Sequence, residues 1–147
     1  MKKVEAQEIP IVKRILKEYN VQLPDELLES LESTIAYDNQ SAIAVSGISC
    51  FKEYGILRFV VVKKDYQKQG IGDGIVRASL NAADHNGIKW VFADEKWNTA
   101  FLEKIGFERI DEDEINALVG ESFVKQPIFG VKLPDFFLKG CKAKRKG

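Results

Sequence analysis

No stretch of this chain constrains its fold more than Val60 to Gly74, which reads V-V-V-K-K-D-Y-Q-K-Q-G-I-G-D-G. An apolar strand runs into Gln67-x-x-Gly70-x-Gly72 and straight on into a helical pattern. The first N–H groups of a helix lack intrahelical partners, and the aligned peptide dipoles leave partial positive charge there. A strand-to-helix junction of this kind is therefore a seat for an anion such as a diphosphate. Gly70 and Gly72 remove side chains that would block its approach and permit positive φ in the turn, while Lys68 adds a cation inside the loop.

Three phosphate loops share this outline, and two fail on residues. A nucleotide-triphosphate loop requires G-x-x-x-x-G-K-[ST], and no Gly-Lys-Ser/Thr occurs. A dinucleotide fingerprint requires glycines at the first, third and sixth positions, and counted from Gly70 the sixth is Ile75. The third fits: Val62-x-x-x-Tyr66-Gln67-x-x-Gly70-Ile71-Gly72 resembles the acyl-CoA loop of the GNAT acetyltransferase superfamily, whose core pattern is [Q/R]-x-x-G-x-[G/A]. Downstream, Phe101-Leu102-Glu103-Lys104-Ile105-Gly106-Phe107 resembles the Y-E-K-x-G-F segment near the end of that fold. The two motifs stand in the family's order and spacing, and the resemblance spans Ala42 to Ile110. Within the superfamily, E-Y-G-I-L-R-x-V-x-V before the loop and an acidic stretch after the G-F look like small-molecule and amino-acid N-acetyltransferases related to arsenic-resistance enzymes.

The remaining composition narrows the setting. A chain of 147 residues suits a single domain over 1–147, and 45% apolar with 30% charged residues is the balance of a globular protein. Acids and bases cancel at 22 each, which argues against a whole-surface affinity for nucleic acid or anionic lipid. No long apolar run or signal peptide is visible, so the expected setting is cytoplasmic, without a membrane. Cys50 and Cys141 are too few and too far apart for a disulfide framework or a zinc site, and His85, the only histidine, has no second histidine with which to share a metal. The basic end 142–147 reads as a solvated, disordered tail, because it lacks the aromatic partners and groove of a nucleic-acid site. A homodimer is plausible, although no residue argues for it.

Along the chain, Ile11, Val12, Ile15, Leu16 and Tyr19 recur at helical spacing after Pro10, and a second helix is expected from Asp25 to about Thr34. Ala42 to Val45 and Ile48 to Phe51 read as two short strands joined by a Ser46-Gly47 hairpin turn. Ile56 to Val62 reads as a central strand buried on both faces. A helix from Ile71, closed by Gly87, and a strand Trp90 to Ala93 then make a parallel, right-handed βαβ unit. Asn98 caps a further helix from Thr99 to Ile105, and Pro127 to Phe137 offers a last strand. The fold class is α/β, a mixed central sheet with helices on both faces.

The resemblance implies a GNAT-like sheet with a splayed parallel strand pair, acetyl-CoA as cofactor, and direct attack by a small-molecule amine or amino acid on its thioester. It implies backbone contacts from Val60 and Val62 to the pantetheine, and a diphosphate held by amides of Lys68, Gln69, Gly70, Ile71, Gly72 and Asp73, with Gln67 in the loop. Lys63, Lys64 or Arg77 would meet the adenosine phosphates. Asn98, where the family commonly has alanine, joins the cofactor-binding set, and Glu53, then Glu95, are the candidate bases. One departure matters most: the family's tyrosine, held to protonate the departing thiolate, falls on Leu102. A thiol leaves with a pKa of about 8.5 and acid assistance is worth about 10²- to 10⁴-fold, so a slower enzyme is expected, and Leu102→Tyr is expected to raise turnover if that proton is limiting. The alternative is a GNAT-like module that binds acyl-CoA with little or no turnover.

Overall fold

Apolar spacing behind Pro10 produces α1 (Ile9–Glu18), which buries Val12, Ile15 and Leu16. The computed structural model describes residues 1–94, 99–111, 113–114 and 128–133. The second helix is shorter than its leucine pattern suggests: α2 (Asp25–Ser30) has six residues, and β2 (Glu32–Asp38) follows as a strand. β-Branched Thr34 and Ile35 suit a strand, and β2 gains ladder partners on both sides, β1 (Lys2–Lys3) and β3 (Ser41–Cys50). Ser46-Gly47 is not a turn either, but lies inside the continuous β3. A Cβ on Gly47 would come within 2.6 Å of the buried Phe59 ring and 3.2 Å of Ser33 Oγ, so glycine stands there to let a ring pack over the strand.

β4 (Tyr54–Val62) pairs antiparallel with β3 and parallel with β5 (Trp90–Asp94), and α3 (Ile71–His85) is the crossover between β4 and β5. With α4 (Thr99–Ile105), β6 (Glu108–Ile110) and β7 (Ile128–Lys132), the sheet has seven strands in the order β1-β2-β3-β4-β5-β7-β6. Among the described residues β4·β5 is its one parallel pair. Helices cover both faces as expected: α1 and α2 bury Ile35, Val45, Phe59 and Val61, whereas α3 and α4 bury Ile48, Leu57, Val91 and Leu102. No helix among the described residues is long and apolar enough to cross a membrane.

The register of β4 explains how the parallel pair opens. Ile48 pairs with Leu57 and Gly47 with Phe59, which leaves Arg58 as an extra residue, a β-bulge. Bulges bend a strand and sharpen its twist, and the pairing of β4 with β5 ends at Ile56↔Phe92, just before this one. The bulge also breaks the alternation of faces. Leu57 points toward α3 and α4, Phe59 and Val61 point toward α1 and α2, and Val60 and Val62 turn back toward α3. β4 is thus not buried on both faces throughout, because Val60 and Val62 remain half-buried where no described strand follows on.

Two polar clusters hold this frame. Ser79 of α3 reaches the sheet, 2.5 Å from Ser46 Oγ and donating to Thr34 Oγ1 at 2.9 Å, which seats the helix on β2 and β3. Glu8, buried before α1, accepts from the Tyr37 hydroxyl at 2.5 Å and from the Glu5 N–H at 2.9 Å, and pairs with Lys2 Nζ at 2.9 Å. The Tyr37 hydrogen bond above all, against the opposing effect of burial and helped by Glu5 and Lys2, lowers its pKa from 4.5 to about 2. A folded-state value below the unfolded one stabilises fully above about pH 4.5 and loses that stabilisation as pH falls toward 2. Glu8→Gln is expected to lower stability at neutral pH and to flatten its decline over that acid range, which urea titrations of both proteins at successive pH values will show.

Candidate functional site

Beyond Ile56 no described strand pairs with the edge of β4 that faces β5. Val62 shows which main-chain groups point there. Its carbonyl accepts from Gln67 Nε2 at 2.9 Å, while the N–H of Lys63 bonds the other way, to Ile43 of β3 at 2.8 Å. Alternate residues in a strand send their N–H and C=O to the same edge, so Val60 and Val62 both present backbone to the open side.

The chain then passes through a short 3₁₀ turn, Lys64–Tyr66, pinned at two points. The Lys64 N–H donates to the Tyr19 hydroxyl at 2.8 Å, and the Tyr66 hydroxyl donates to Asp38 Oδ2 at 2.7 Å, a hydrogen bond that raises the Tyr66 pKa. Lys68 (φ 66°) and Gly70 (φ 81°) adopt left-handed backbone and swing the chain into α3, where the Gly74 N–H closes onto the Gly70 carbonyl at 3.0 Å. Among the described residues, no acceptor meets the N–H groups from Lys68 to Asp73. These donors converge at the positive end of a 15-residue helix, the arrangement that favours a bound anion.

A cleft of about 530 Å³ joins the two features. Val60 and Val62 form one wall, Gln67, Lys68, Gly70, Gly72 and Asp73 form its end, and Phe101, Lys104 and Ile105 of α4 close the far side. A Cβ on Gly72 would stand 3.3 Å from the Phe101 ring and 3.6 Å from Val62 Cγ2, so the bare glycine keeps the space between β4 and α4 open. At Gly70 a Cβ would meet nothing within 4 Å, and glycine there serves the left-handed turn instead.

Of the residues expected from sequence, Val60, Val62, Gln67, Lys68, Gly70, Gly72 and Asp73 come together in this cleft. Ile71 turns its side chain into the cluster under α3 and offers its backbone, and Gln69 is exposed, its amide reaching the Asp65 carbonyl at 3.4 Å. Asp73 would oppose an anion, but it is ion-paired with Arg77, which also donates to the Ile105 carbonyl at 3.2 Å. Arg77 is thus engaged by Asp73 and the Ile105 carbonyl, while Lys104 of α4 lines the cleft. Phe101, Lys104 and Ile105 share one face of α4 at i, i+3, i+4 spacing, which is the signal that marks them as a set.

Two expectations need correction. Glu53 precedes β4 at the end where β4 and β5 are paired, its carbonyl accepting from the Lys89 and Trp90 N–H groups. Its carboxylate is exposed, 3.5 Å from Lys89 Nζ. Seven residues upstream of Val60 in an extended strand is about 23 Å away, so Glu53 is not brought to the cleft. The parallel pair opens at its C-terminal ends, and Glu53 sits at the other. Glu53→Gln is accordingly expected to leave both coenzyme A affinity and turnover unchanged in calorimetry and thiol-release assays. Leu102, the residue in the tyrosine's place, is 0% exposed among Val76, Leu80, Ile105 and Phe107 and does not line the cleft, whereas its neighbour Phe101 does. Glu95, Asn98 and the tail 142–147 lie outside the described residues.

Known proteins bear on this geometry at two levels. No curated protein matches the chain. Among solved structures, N-acetylglutamate synthase from Neisseria gonorrhoeae, complexed with coenzyme A and N-acetyl-glutamate, superposes with a TM-score of 0.69 at 18% identity over 90% of this chain. This chain spans only 34% of that one. Tetrahymena GCN5 follows with a TM-score of 0.66 at 15% identity, covering 86% of this chain and 87% of its own. A GNAT-family acetyltransferase from Staphylococcus aureus gives 0.64 at 16%, covering 89% and 96%. These identities show a shared fold. The finer likeness to arsenic-resistance-associated enzymes finds no support among them. Residues 30–109, which carry the bulged strand, the glycine loop and α4, match the GNAT acetyltransferase domain. With more than half its length inside that domain, this chain belongs to the GNAT acetyltransferase family.

Proposed function

We propose that the chain is an acetyl-CoA-dependent N-acetyltransferase that acetylates a primary amine of a small molecule or amino acid by direct attack in a ternary complex. The observation that carries this reading is the run of amides from Lys68 to Asp73 that no described residue partners, beside the open edge of β4. Those residues fit coenzyme A. The amides and the Lys68 and Lys104 ammonium groups suit its diphosphate, Gly72 leaves room for the chain that follows, and Val60 and Val62 can pair with pantetheine amides as a further strand would. When bound, acetyl-CoA supplies an acyl thioester open to attack by a neutral amine. A main-chain N–H of Val60 or Val62 on the open edge is then placed to donate to an oxygen that gains negative charge. Glu95, next in sequence after the last residue of β5, is the carboxylate proposed to take the amine's proton, directly or through water.

The decisive experiment is thiol release from acetyl-CoA in the presence of amino acids, polyamines, aminoglycosides and peptides, beside calorimetry with coenzyme A. Binding with turnover on one class supports the proposal, and no binding overturns it. A second reading, an acyl-CoA-binding module with little turnover, is favoured by one observation: Leu102 is buried and brings no hydroxyl to the cleft. Tight binding with no thiol release on any amine would select it.

A further inference from the structure

The acceptor's chemistry can be narrowed from one side chain, on the assumption that the transferase reading holds. Arg58 is the only charged residue in β4, and it occupies the bulge at which β4 parts from β5. A half-buried guanidinium in an otherwise apolar strand is costly to desolvate unless polar groups meet it. One group does: Arg58 Nε donates to Ser49 Oγ at 2.8 Å, and Ser49 is itself only 5% exposed. Arg58 has no other partner among the described residues, so both Nη groups keep their donors.

The face on which this happens gives the arrangement its meaning. Ile48 packs toward α3 and α4, so its neighbour Ser49, and the arginine it holds, lie on the opposite face of the sheet. The cofactor cleft opens on the α3 side, where Val60, Gly72 and Phe101 meet. Arg58 therefore stands across the sheet from the cleft, two residues from Val60, at the point where the strands begin to separate. A second reactant entering from this side would reach the gap without crossing the glycine loop. A guanidinium fixed at Nε presents its two Nη atoms as a planar pair, the geometry that matches both oxygens of a carboxylate.

We infer that Arg58 anchors a carboxylate of the acceptor, which makes amino acids and other carboxylate-bearing amines the substrate class. The test uses the full chain and thiol release from acetyl-CoA, with amino acids each matched to the amine left when its carboxyl group is removed, and a phosphorylated amine as a further arm. The wild type is expected to prefer the carboxylated member of at least one pair. Arg58→Met is expected to raise KM for that substrate about 10- to 100-fold with kcat little changed, the scale of a lost charge-assisted pair, and to leave the decarboxylated amine unaffected. Arg58→Lys should recover part of the loss, and Ser49→Ala should produce a smaller change in the same direction. Coenzyme A affinity, unchanged in every variant, shows that each is folded. Equal effects on both members of a pair, no discrimination by the wild type, or preference for the phosphorylated amine would overturn the assignment while leaving the transferase reading intact. Absence of turnover with every amine, coenzyme A still binding, would instead overturn the reading on which it rests.

Discussion

Gly72→Trp is expected to abolish coenzyme A binding while leaving the protein folded. A Cβ at this position already stands 3.3 Å from the Phe101 ring, and an indole has only the cleft between Val62 and α4 to enter. Gly72 is not among the positive-φ glycines, so its backbone accepts an L-residue and the effect is one of occupied space, not strain. A loss of at least about 100-fold in affinity, some 3 kcal/mol, is expected by calorimetry, with the urea midpoint of the free protein moved by no more than an ordinary surface substitution. Gly70→Ala supplies the contrast. Its Cβ meets nothing, but φ is 81°, so it should cost about 1–2 kcal/mol of stability and spare the space in the cleft. Two glycines of one motif should fail in different assays. Wild-type affinity in Gly72→Trp would mean that the cofactor does not pass between β4 and α4.

The second large effect is on stability. Leu102→Ala is expected to cost about 2–5 kcal/mol, because the side chain is 0% exposed where α3 and α4 pack and its removal leaves a cavity the surroundings only partly fill. Domains of this size hold about 5–15 kcal/mol in all, so the variant should melt far earlier, and equilibrium urea unfolding measures it directly. The same packing decides the outcome of Leu102→Tyr. A tyrosine there overfills the core at a cost of about 1–3 kcal/mol and directs its hydroxyl into apolar surroundings, so no rise in turnover is expected. A rise would show that α4 can rotate to bring residue 102 to the cleft.

The parts legible in the sequence and the parts that were not divide on physical grounds. The seat for a diphosphate was readable because every condition for it is local: a left-handed glycine, a helix start, and small residues where an anion approaches. The first residues of β2, Glu32 to Thr34, read as the end of a helix because Leu27, Leu28 and Leu31 carry an amphipathic pattern up to them, and only ladder partners on both flanks make them strand. Gly47 reads as part of a turn because a glycine's reason is invisible until its neighbour is known, here the Phe59 ring from the next strand. Glu53 reads as a candidate base because strand ends look alike in sequence, although a parallel pair followed by a C-terminal loop implies that the loop and Glu53 lie at opposite ends of β4.

By itself, then, the amino-acid order determined where an anion can sit and which segments surround it, since helix starts and backbone freedom depend on residues a few positions apart. Which ends of β4 and β5 separate, which residue of α4 faces the cleft, and where Arg58 stands were decided only in the folded state. Each depends on the register between segments distant in sequence, and one extra residue in one strand is enough to change it.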